Sequence, residues 1–234
     1  MDIQLNYMER GTGAPLLLLH GNGECLDYFR SQIDFFSSRY RVIALDTRGH
    51  GASPRGQAPF TIAQFAEDLL EFMDGMRLSK AHILGFSDGG NIALTFALKH
   101  PERVDKLILN GANLDPSGVK RRVQLPIELG YALARCFAGR SPRARQSAQL
   151  LGLMVNEPHI SPEHLRHLNR PVLVIAGERD MIRPTHTRRI AAALPDARLA
   201  FLPGDHFIAA KNPSAFNAAV AQFLEEPTKE RKIE

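Results

Sequence analysis

The sequence lacks the features that mark several specialised classes of protein. Its 234 residues include only two cysteines, Cys25 and Cys136, which lie far apart and fit no metal or redox motif. Tryptophan is absent, and no apolar run approaches the roughly 18 residues that a membrane span needs. The net charge of +4 is too small for a general polyanion binder. These absences exclude a disulfide scaffold and a transmembrane protein, and they disfavour nucleic acid as a partner.

The remaining composition is that of an ordinary globular protein. Apolar residues make up 44% and charged residues 23% of the chain, and the length suits one large domain with a sizeable core. The first ten residues carry no apolar stretch of the secretory type, so we expect the mature chain to begin there. We also expect a cytoplasmic location with reduced thiols and no association with membranes.

Charge is distributed unevenly along the chain. Residues 111–170 carry nine basic and four acidic side chains, a local net charge of +5, whereas the rest of the chain sums to −1. We interpret residues 111–168 as an inserted helical subdomain. Residues 1–110 and 169–226 then form the main domain, and residues 227–234 form a charged tail.

Short apolar runs alternate with helical patterns, which is typical of an α/β protein with a mostly parallel, doubly wound sheet. An unbroken aliphatic run such as residues 16–19 predicts a strand that is covered on both faces. The predicted strands are 4–10, 16–19, 41–46, 81–86, 104–109, 172–176 and 199–202. The predicted helices are 26–39, 62–76, 91–100, 125–137, 146–155 and 213–224.

The segment Gly85-Phe86-Ser87-Asp88-Gly89 carries the sharpest chemical signal, because it lies between a predicted strand and a predicted helix. A serine on so tight a strand-to-helix turn has a strained backbone that projects its Oγ out of the sheet. Glycines are expected at 85 and 89 because side chains there would clash across the turn. The pattern predicts that Ser87 is a catalytic nucleophile. The competing interpretation is a glycine-rich turn with a helix-capping serine.

A serine nucleophile needs a base and an acid that orients the base. His206 follows the last predicted strand, and Asp180 follows the strand at 172–176, so both reach the same end of the sheet as Ser87. The order Ser87, Asp180, His206 matches the order of these roles in α/β-hydrolases. The rival acids are Glu178 and Asp115, each of which also follows a predicted strand.

Acyl transfer also needs two N–H donors aimed at the developing oxyanion. The main-chain N–H of Asp88, directly after the nucleophile, is one candidate. The segment His20-Gly21-Asn22-Gly23 follows an early strand, and we assign the second donor to the N–H of Asn22. We interpret His20 as a structural hydrogen-bonding residue rather than a base.

At these residues the chain resembles the α/β-hydrolase superfamily. The resemblance covers most of the chain outside residues 111–168, which correspond to the variable cap of that family. It implies an α/β-hydrolase fold, a short helical cap after the strand that begins at Val104, and structural roles for His50 and Ser53. The strand-to-helix turn around Ser87, hereafter the elbow, resembles that of biphenyl-hydrolase-like, valacyclovir-cleaving esterases. The segments that carry the resemblance are His20-Gly21-Asn22-Gly23, Asp46-Thr47-Arg48-Gly49-His50-Gly51-Ala52-Ser53, the Ser87 elbow, Gly177-Glu178-Arg179-Asp180 and Asp205-His206.

Three other patterns predict nothing further. Gly21-Asn22-Gly23 imitates a dinucleotide-binding turn, but Leu26 stands where the third glycine belongs. His159, His164 and His167 have no cysteine or carboxylate at metal-binding spacing, so we interpret them as surface residues. The basic segment lacks interleaved aromatic residues and any nucleic-acid motif. We therefore expect no cofactor, no metal and no nucleic acid.

The sequence thus predicts a cofactor-free serine hydrolase that acts on small carboxylic esters through an acyl-enzyme. Two alternatives stay open. One is a small-molecule receptor on the same fold, with slow turnover, and the other is an aminopeptidase or amidase that uses the same triad.

The side chain of Asp88 also has two interpretations. An aspartate in the first turn of a helix is favoured by the helix dipole. Alternatively, its carboxylate binds a substrate ammonium, as the resemblance to amino-acid-ester-cleaving enzymes implies.

Overall fold

The strands of the protein form one sheet. The computed structural model describes residues 2–227. Within that range the strands are β1 (Tyr7–Arg10), β2 (Ala14–Leu19), β3 (Tyr40–Leu45), β4 (Ala81–Phe86), β5 (Val104–Asn110), β6 (Val172–Gly177) and β7 (Ala197–Leu202). Their spatial order is β1-β3-β2-β4-β5-β6-β7, with β1 antiparallel to β3 and every other neighbouring pair parallel. The predicted mostly parallel sheet is therefore confirmed.

The aliphatic runs form the centre of the sheet because both faces are covered by helices. Every residue of β6 is buried, as are Leu16 to Leu19 of β2, which is the pattern of a doubly covered parallel strand. All four residues of β1 are exposed, since this strand lies at the edge. The antiparallel edge strand is short and includes the charged residues Glu9 and Arg10, two common ways to keep an edge from pairing with other chains.

Helices form a layer on each face of the sheet. Leu69 of α2 and Ile92 of α3 pack in one apolar core, and Ile33 of α1 packs with Phe216 and Val220 of α9 in the other. The α-helices are α1 (Arg30–Phe36), α2 (Ile62–Gly75), α3 (Asp88–Lys99), α4 (Arg121–Phe137), α5 (Pro142–Asn156), α6 (Pro162–Leu165), α7 (Pro184–Ala193), α8 (Ile208–Lys211) and α9 (Pro213–Glu225).

Three helices, α4 to α6, are inserted between β5 and β6. Helices α4 and α5 pack against each other, and each buries a single residue, Gln124 and Leu153 respectively. Helices α4 and α5 therefore contribute little to the core. A hydrogen bond connects the insertion to the rest of the chain, since the side-chain Nδ2 of Asn22 donates to the carbonyl of Leu150 at 2.7 Å.

The structure differs from the predicted elements in a few places. Helix α7 was not predicted, because the one large apolar residue that it buries is Ile190. The predicted helix at 26–39 is a 3₁₀ turn, Leu26–Phe29, followed by α1. The predicted charged tail lies outside the described residues except for Pro227. Over the described range, no helix is long and apolar enough to cross a membrane.

Candidate active site

Ser87 occupies the turn between β4 and α3. Its backbone has φ of 53° and ψ of −120°, a strained conformation for a residue with a side chain. The turn is held from both sides, because the N–H of Ser87 donates to Asn110 O at 2.8 Å and the N–H of Asn91 donates to Ser87 O at 3.0 Å. The strain predicted for this residue is therefore present.

Both glycines beside Ser87 lie against main chain. A Cβ at position 85 would overlap the carbonyl oxygen of Gly89, and a Cβ at position 89 would overlap the carbonyl oxygen of Leu19. Neither neighbour is a flexible side chain that could move away. The tight turn that presents Ser87 consequently depends on glycine at both positions.

Three side chains from separate segments form one hydrogen-bonded line. His206 follows β7, and its Nε2 lies 3.0 Å from Ser87 Oγ. Its Nδ1 lies 2.7 Å from Oδ1 of Asp180, which follows β6. His206 and Asp180 are both buried, with 4% and 1% exposure. The three residues meet because the carboxyl ends of parallel strands share one edge of the sheet.

The rival acids do not reach His206. Asp115 accepts the main-chain N–H of Ser117 through its Oδ1 at 2.9 Å and caps a short turn. The side chain of Glu178 is exposed. Asp180 is held in place because its Oδ1 also accepts the N–H of Ile182 at 2.8 Å.

Several residues around the histidine were not singled out from the sequence. A Cβ at Gly111, where φ is 64°, would lie 2.8 Å from Cε1 of His206. The ring of Phe86 lies 4.9 Å from that of His206, centroid to centroid, and is itself stacked on Tyr28 at 4.3 Å. Lys120 Nζ donates to the main-chain oxygen of Asp180. The available signals were a glycine directly after a strand and an aromatic residue inside the elbow.

The loop after β2 lies directly beside the nucleophile. A Cβ at Gly21 would be 3.2 Å from Cβ of Ser87 and 2.9 Å from the ring of Phe86. The next residue, Asn22, makes no hydrogen bond through its main-chain N–H to any described residue. The N–H of Asp88 is similarly free, because the first residues of a helix have no acceptor in the preceding turn. These two donors are therefore available beside Ser87.

His20 and Asp46 both hold loops together. His20 Nδ1 lies 2.7 Å from Gly21 O, and its Nε2 accepts the N–H of Thr47 at 3.0 Å. Burial lowers the pKa of His20 to about 4, so the ring is neutral. Asp46 accepts the N–H groups of Leu26 and Ala52, each at 2.8 Å. These contacts agree with the structural role expected for His20.

The side chain of Asp88 is buried and incompletely bonded. It is 8% exposed, its Oδ1 accepts Asn91 Nδ2 at 3.3 Å, and its Oδ2 has no hydrogen-bond partner among residues 2–227. The side-chain amide of Asn22 donates to Leu150 O at 2.7 Å, and it also lies close enough to Asp88 to lower the pKa of that carboxyl slightly. Burial raises the pKa of Asp88 to about 6, although the hydrogen bond from Asn91 lowers it.

The described part of the chain contains no group of three or more His, Cys, Asp or Glu side chains that could hold a metal ion. His159 and His167 are among the exposed residues. The two cysteines are free.

Comparisons with known proteins identify the family of this chain. The sequence model of the α/β hydrolase fold family matches residues 14–134. A protein of Caulobacter sp. strain K31, named "Putative carbamate hydrolase RutD", is 32% identical over 89% of this chain and 90% of its own length. The protein named 3-oxoadipate enol-lactonase 2 of Acinetobacter baylyi is 29% identical over 94% of this chain and 92% of its own.

Solved structures show the same fold. The enol-lactonase from Burkholderia xenovorans LB400 superposes with a TM-score of 0.81 at 24% identity, over 96% of this chain and 97% of the other. A hydrolase from Pseudomonas aeruginosa PA01 gives a TM-score of 0.76 at 28% identity, over 96% and 95%. These matches confirm the fold and family predicted from the motifs: the chain is a hydrolase of the α/β-hydrolase fold family.

Proposed function

We propose that this chain is a serine hydrolase that needs no cofactor and cleaves small carboxylic esters through an acyl-enzyme. The observation that carries the proposal is the hydrogen-bonded line from Ser87 Oγ through His206 to Asp180. A nucleophile, a base and an orienting acid in contact are what acyl transfer requires.

Each member of the line has one role. The Ser87 hydroxyl transfers its proton to His206 Nε2 while its oxygen attacks the ester carbonyl carbon. The tetrahedral intermediate then expels the alcohol, which takes the proton from His206, and the acyl group stays on Ser87. Asp180 accepts the Nδ1–H of His206, so it fixes the tautomer and stabilises the cation that forms. Water repeats the attack, releases the acid and restores Ser87.

The main-chain N–H groups of Asn22 and Asp88 are the donors that we assign to the oxyanion. The packing of Gly21 against Ser87 supports this assignment, because it brings the loop after β2 to the nucleophile. Donors that are fixed before the reaction stabilise developing charge without reorganisation.

We assign residues 111–168 to a cap over this site, with residues 1–110 and 169–226 as the main domain. The hydrogen bond from Asn22 to Leu150 supports this division, since it connects α5 to the proposed oxyanion loop. Loops and insertions at the carboxyl edge of a parallel sheet commonly select the substrate.

The names of the relatives support an acyl substrate. One relative is named a carbamate hydrolase and another an enol-lactonase. A lactone is a cyclic ester, and a carbamate presents the same kind of carbonyl to a nucleophile. We therefore include a lactone and a carbamate beside linear esters in the substrate panel.

We further propose that the carboxylate of Asp88 binds a substrate ammonium. The unpartnered Oδ2 supports this role, because a buried carboxylate oxygen without a donor is costly and a cationic ligand would relieve the cost. Asp88→Asn should lower kcat/KM roughly tenfold on an α-amino ester and leave the des-amino analogue almost unchanged. Equal losses on both substrates would contradict ammonium binding and leave Asp88 as a residue favoured by the dipole of α3.

The deciding experiment combines turnover with covalent labelling. Wild type should hydrolyse members of an ester, lactone, carbamate and amide panel, and a fluorophosphonate should label it. Ser87→Ala should lose several orders of magnitude in kcat and all labelling while keeping its fold. Persistent labelling in Ser87→Ala would assign the nucleophile elsewhere. Single, stoichiometric acyl release without turnover would instead support a receptor.

A further inference from the structure

A cavity of about 200 Å³ lies between the loop after β3 and helix α5. Ser87 and His206 do not line it. It adjoins the proposed active site, however, because Leu150 lines the cavity and its carbonyl accepts the Asn22 side chain. The residues that give the cavity its chemistry are Arg55, Phe60, Arg145, Gln146, Gln149 and Leu150.

Two guanidinium groups face this cavity with donors to spare. Arg55 is fixed, because its Nη1 donates to Ala58 O at 2.8 Å, its Nε donates to Gln149 Oε1 at 3.2 Å and its guanidinium carbon lies 4.8 Å from the centre of the Phe60 ring. Its Nη2 donates to no described residue. Toward the described residues, Arg145 uses only Nε, which donates to Ala138 O at 3.3 Å. Three guanidinium nitrogens, one on Arg55 and two on Arg145, are therefore free to bind an acceptor.

Among residues 2–227, no carboxylate lines the cavity to balance these charges. The negative charge that acts on Arg55 is that of Asp2, which is itself paired with Arg48 at 2.7 Å. Burial, and then the positive charge of Arg48, lower the pKa of Arg55. The first turn of α5, which starts at Pro142, adds the positive end of a helix dipole. The cavity is therefore an electropositive site with an apolar wall.

We propose that this cavity binds the carboxylate of a small organic anion. Paired guanidinium groups match the two oxygens of a carboxylate, while Phe60 and Leu150 cover an adjoining carbon chain. The contact with Asn22 leads us to assign the carboxylate to the substrate itself, namely an ester whose acyl part ends in a second, ionised acid group. This assignment rests on the proposed function, whereas anion binding by the cavity does not.

The binding test uses glutarate as the probe and needs no catalysis. Titration calorimetry should detect glutarate binding to the wild-type chain, and Arg145→Gln should weaken it about tenfold, as expected for the loss of a charged hydrogen bond. Arg143→Gln is the matched control, because it removes the same charge from the same helix and does not line the cavity. Equal affinities for the wild type, Arg145→Gln and Arg143→Gln would overturn the site.

The kinetic test distinguishes a substrate group from a free anion. The substrates are mono-p-nitrophenyl glutarate and its neutral methyl ester. The quantity compared is kcat/KM for the anionic substrate divided by kcat/KM for the neutral one. Arg145→Gln should lower this ratio about tenfold, mainly through a higher KM for the anionic substrate. Arg143→Gln should change it less than twofold. An unchanged ratio with weakened glutarate binding would overturn the substrate assignment and leave a site for a free anion. Glutarate binding without hydrolysis of either ester would overturn the proposed function and leave the site.

Discussion

Gly111 packs its main chain directly against the imidazole of His206. A Cβ at this position would lie 2.8 Å from Cε1 and 2.9 Å from Nδ1 of the ring. Gly111 also adopts φ of 64°, a conformation that residues with side chains rarely adopt. The residue directly after β5 therefore sets how far the imidazole can tilt away from Ser87 and Asp180.

This packing predicts that Gly111→Ala impairs catalysis. The methyl group would push the imidazole away from its two partners, and displacements near 1 Å in a catalytic group can cost on the order of 10²-fold in rate. Gly139→Ala is the control, since a Cβ there meets nothing within 4 Å. The measurement is the steady-state kcat on an ester that the wild type hydrolyses, and urea unfolding checks that both variants are folded. A wild-type kcat for Gly111→Ala would contradict the prediction.

Asp180 should be the only one of the three candidate acids whose amide variant loses activity. Asp180→Asn leaves His206 without support for its cation, and the expected loss in kcat is on the order of 10⁴-fold. Glu178→Gln and Asp115→Asn should stay within a few-fold of wild type, because neither side chain contacts His206. An inactive Asp115→Asn beside an active Asp180→Asn would move the acid to the segment after β5.

Asp88 should make the free energy of unfolding fall as pH rises. Its pKa is about 6 in the folded chain and 3.8 as the ordinary value, so the folded state holds the proton more tightly between these two pH values. The resulting loss of stability between pH 4 and pH 7 is about 2 kcal/mol, and Asp88→Asn should remove it. Urea unfolding of both proteins at the two pH values measures the difference. An identical pH dependence in the two proteins would rule out a raised pKa.

Arg48 and Asp68 should be the most costly ion pair to break. Their side chains are 0% and 2% exposed, and two guanidinium nitrogens donate to the two carboxylate oxygens at 2.7 and 2.6 Å. Arg48→Met would leave a buried carboxylate unpaired, which typically costs about 3–5 kcal/mol. Arg41→Met, which breaks a pair with Glu9 at the edge of the sheet, should cost less than about 1 kcal/mol. Urea unfolding measures the free energy of unfolding of both variants, and equal losses relative to wild type would contradict the prediction.

Local patterns in the sequence predicted most of the fold. Strand β4 was placed at its observed limits, because its aliphatic run is bounded by a turn and by the glycines of the elbow. Helix α2 carries Phe65, Leu69 and Phe72 on one stripe, so its period was clear. Helix α7 has little apolar periodicity and is stabilised by its place over the sheet, so nothing in its sequence distinguished it from a loop.

For the site, the sequence by itself determined the elbow, because the strain at Ser87 and the close approach of Gly85 to the carbonyl of Gly89 are properties of one short segment. Only the tertiary structure decided which acid meets His206, because Asp115, Glu178 and Asp180 all follow strands and, of these three, Asp180 is the one that contacts the imidazole. The burial of Asp88 and the meeting of Arg55 and Arg145 at one cavity were decided in the same way. Both depend on contacts between segments far apart in the chain, and such contacts leave no local pattern to read.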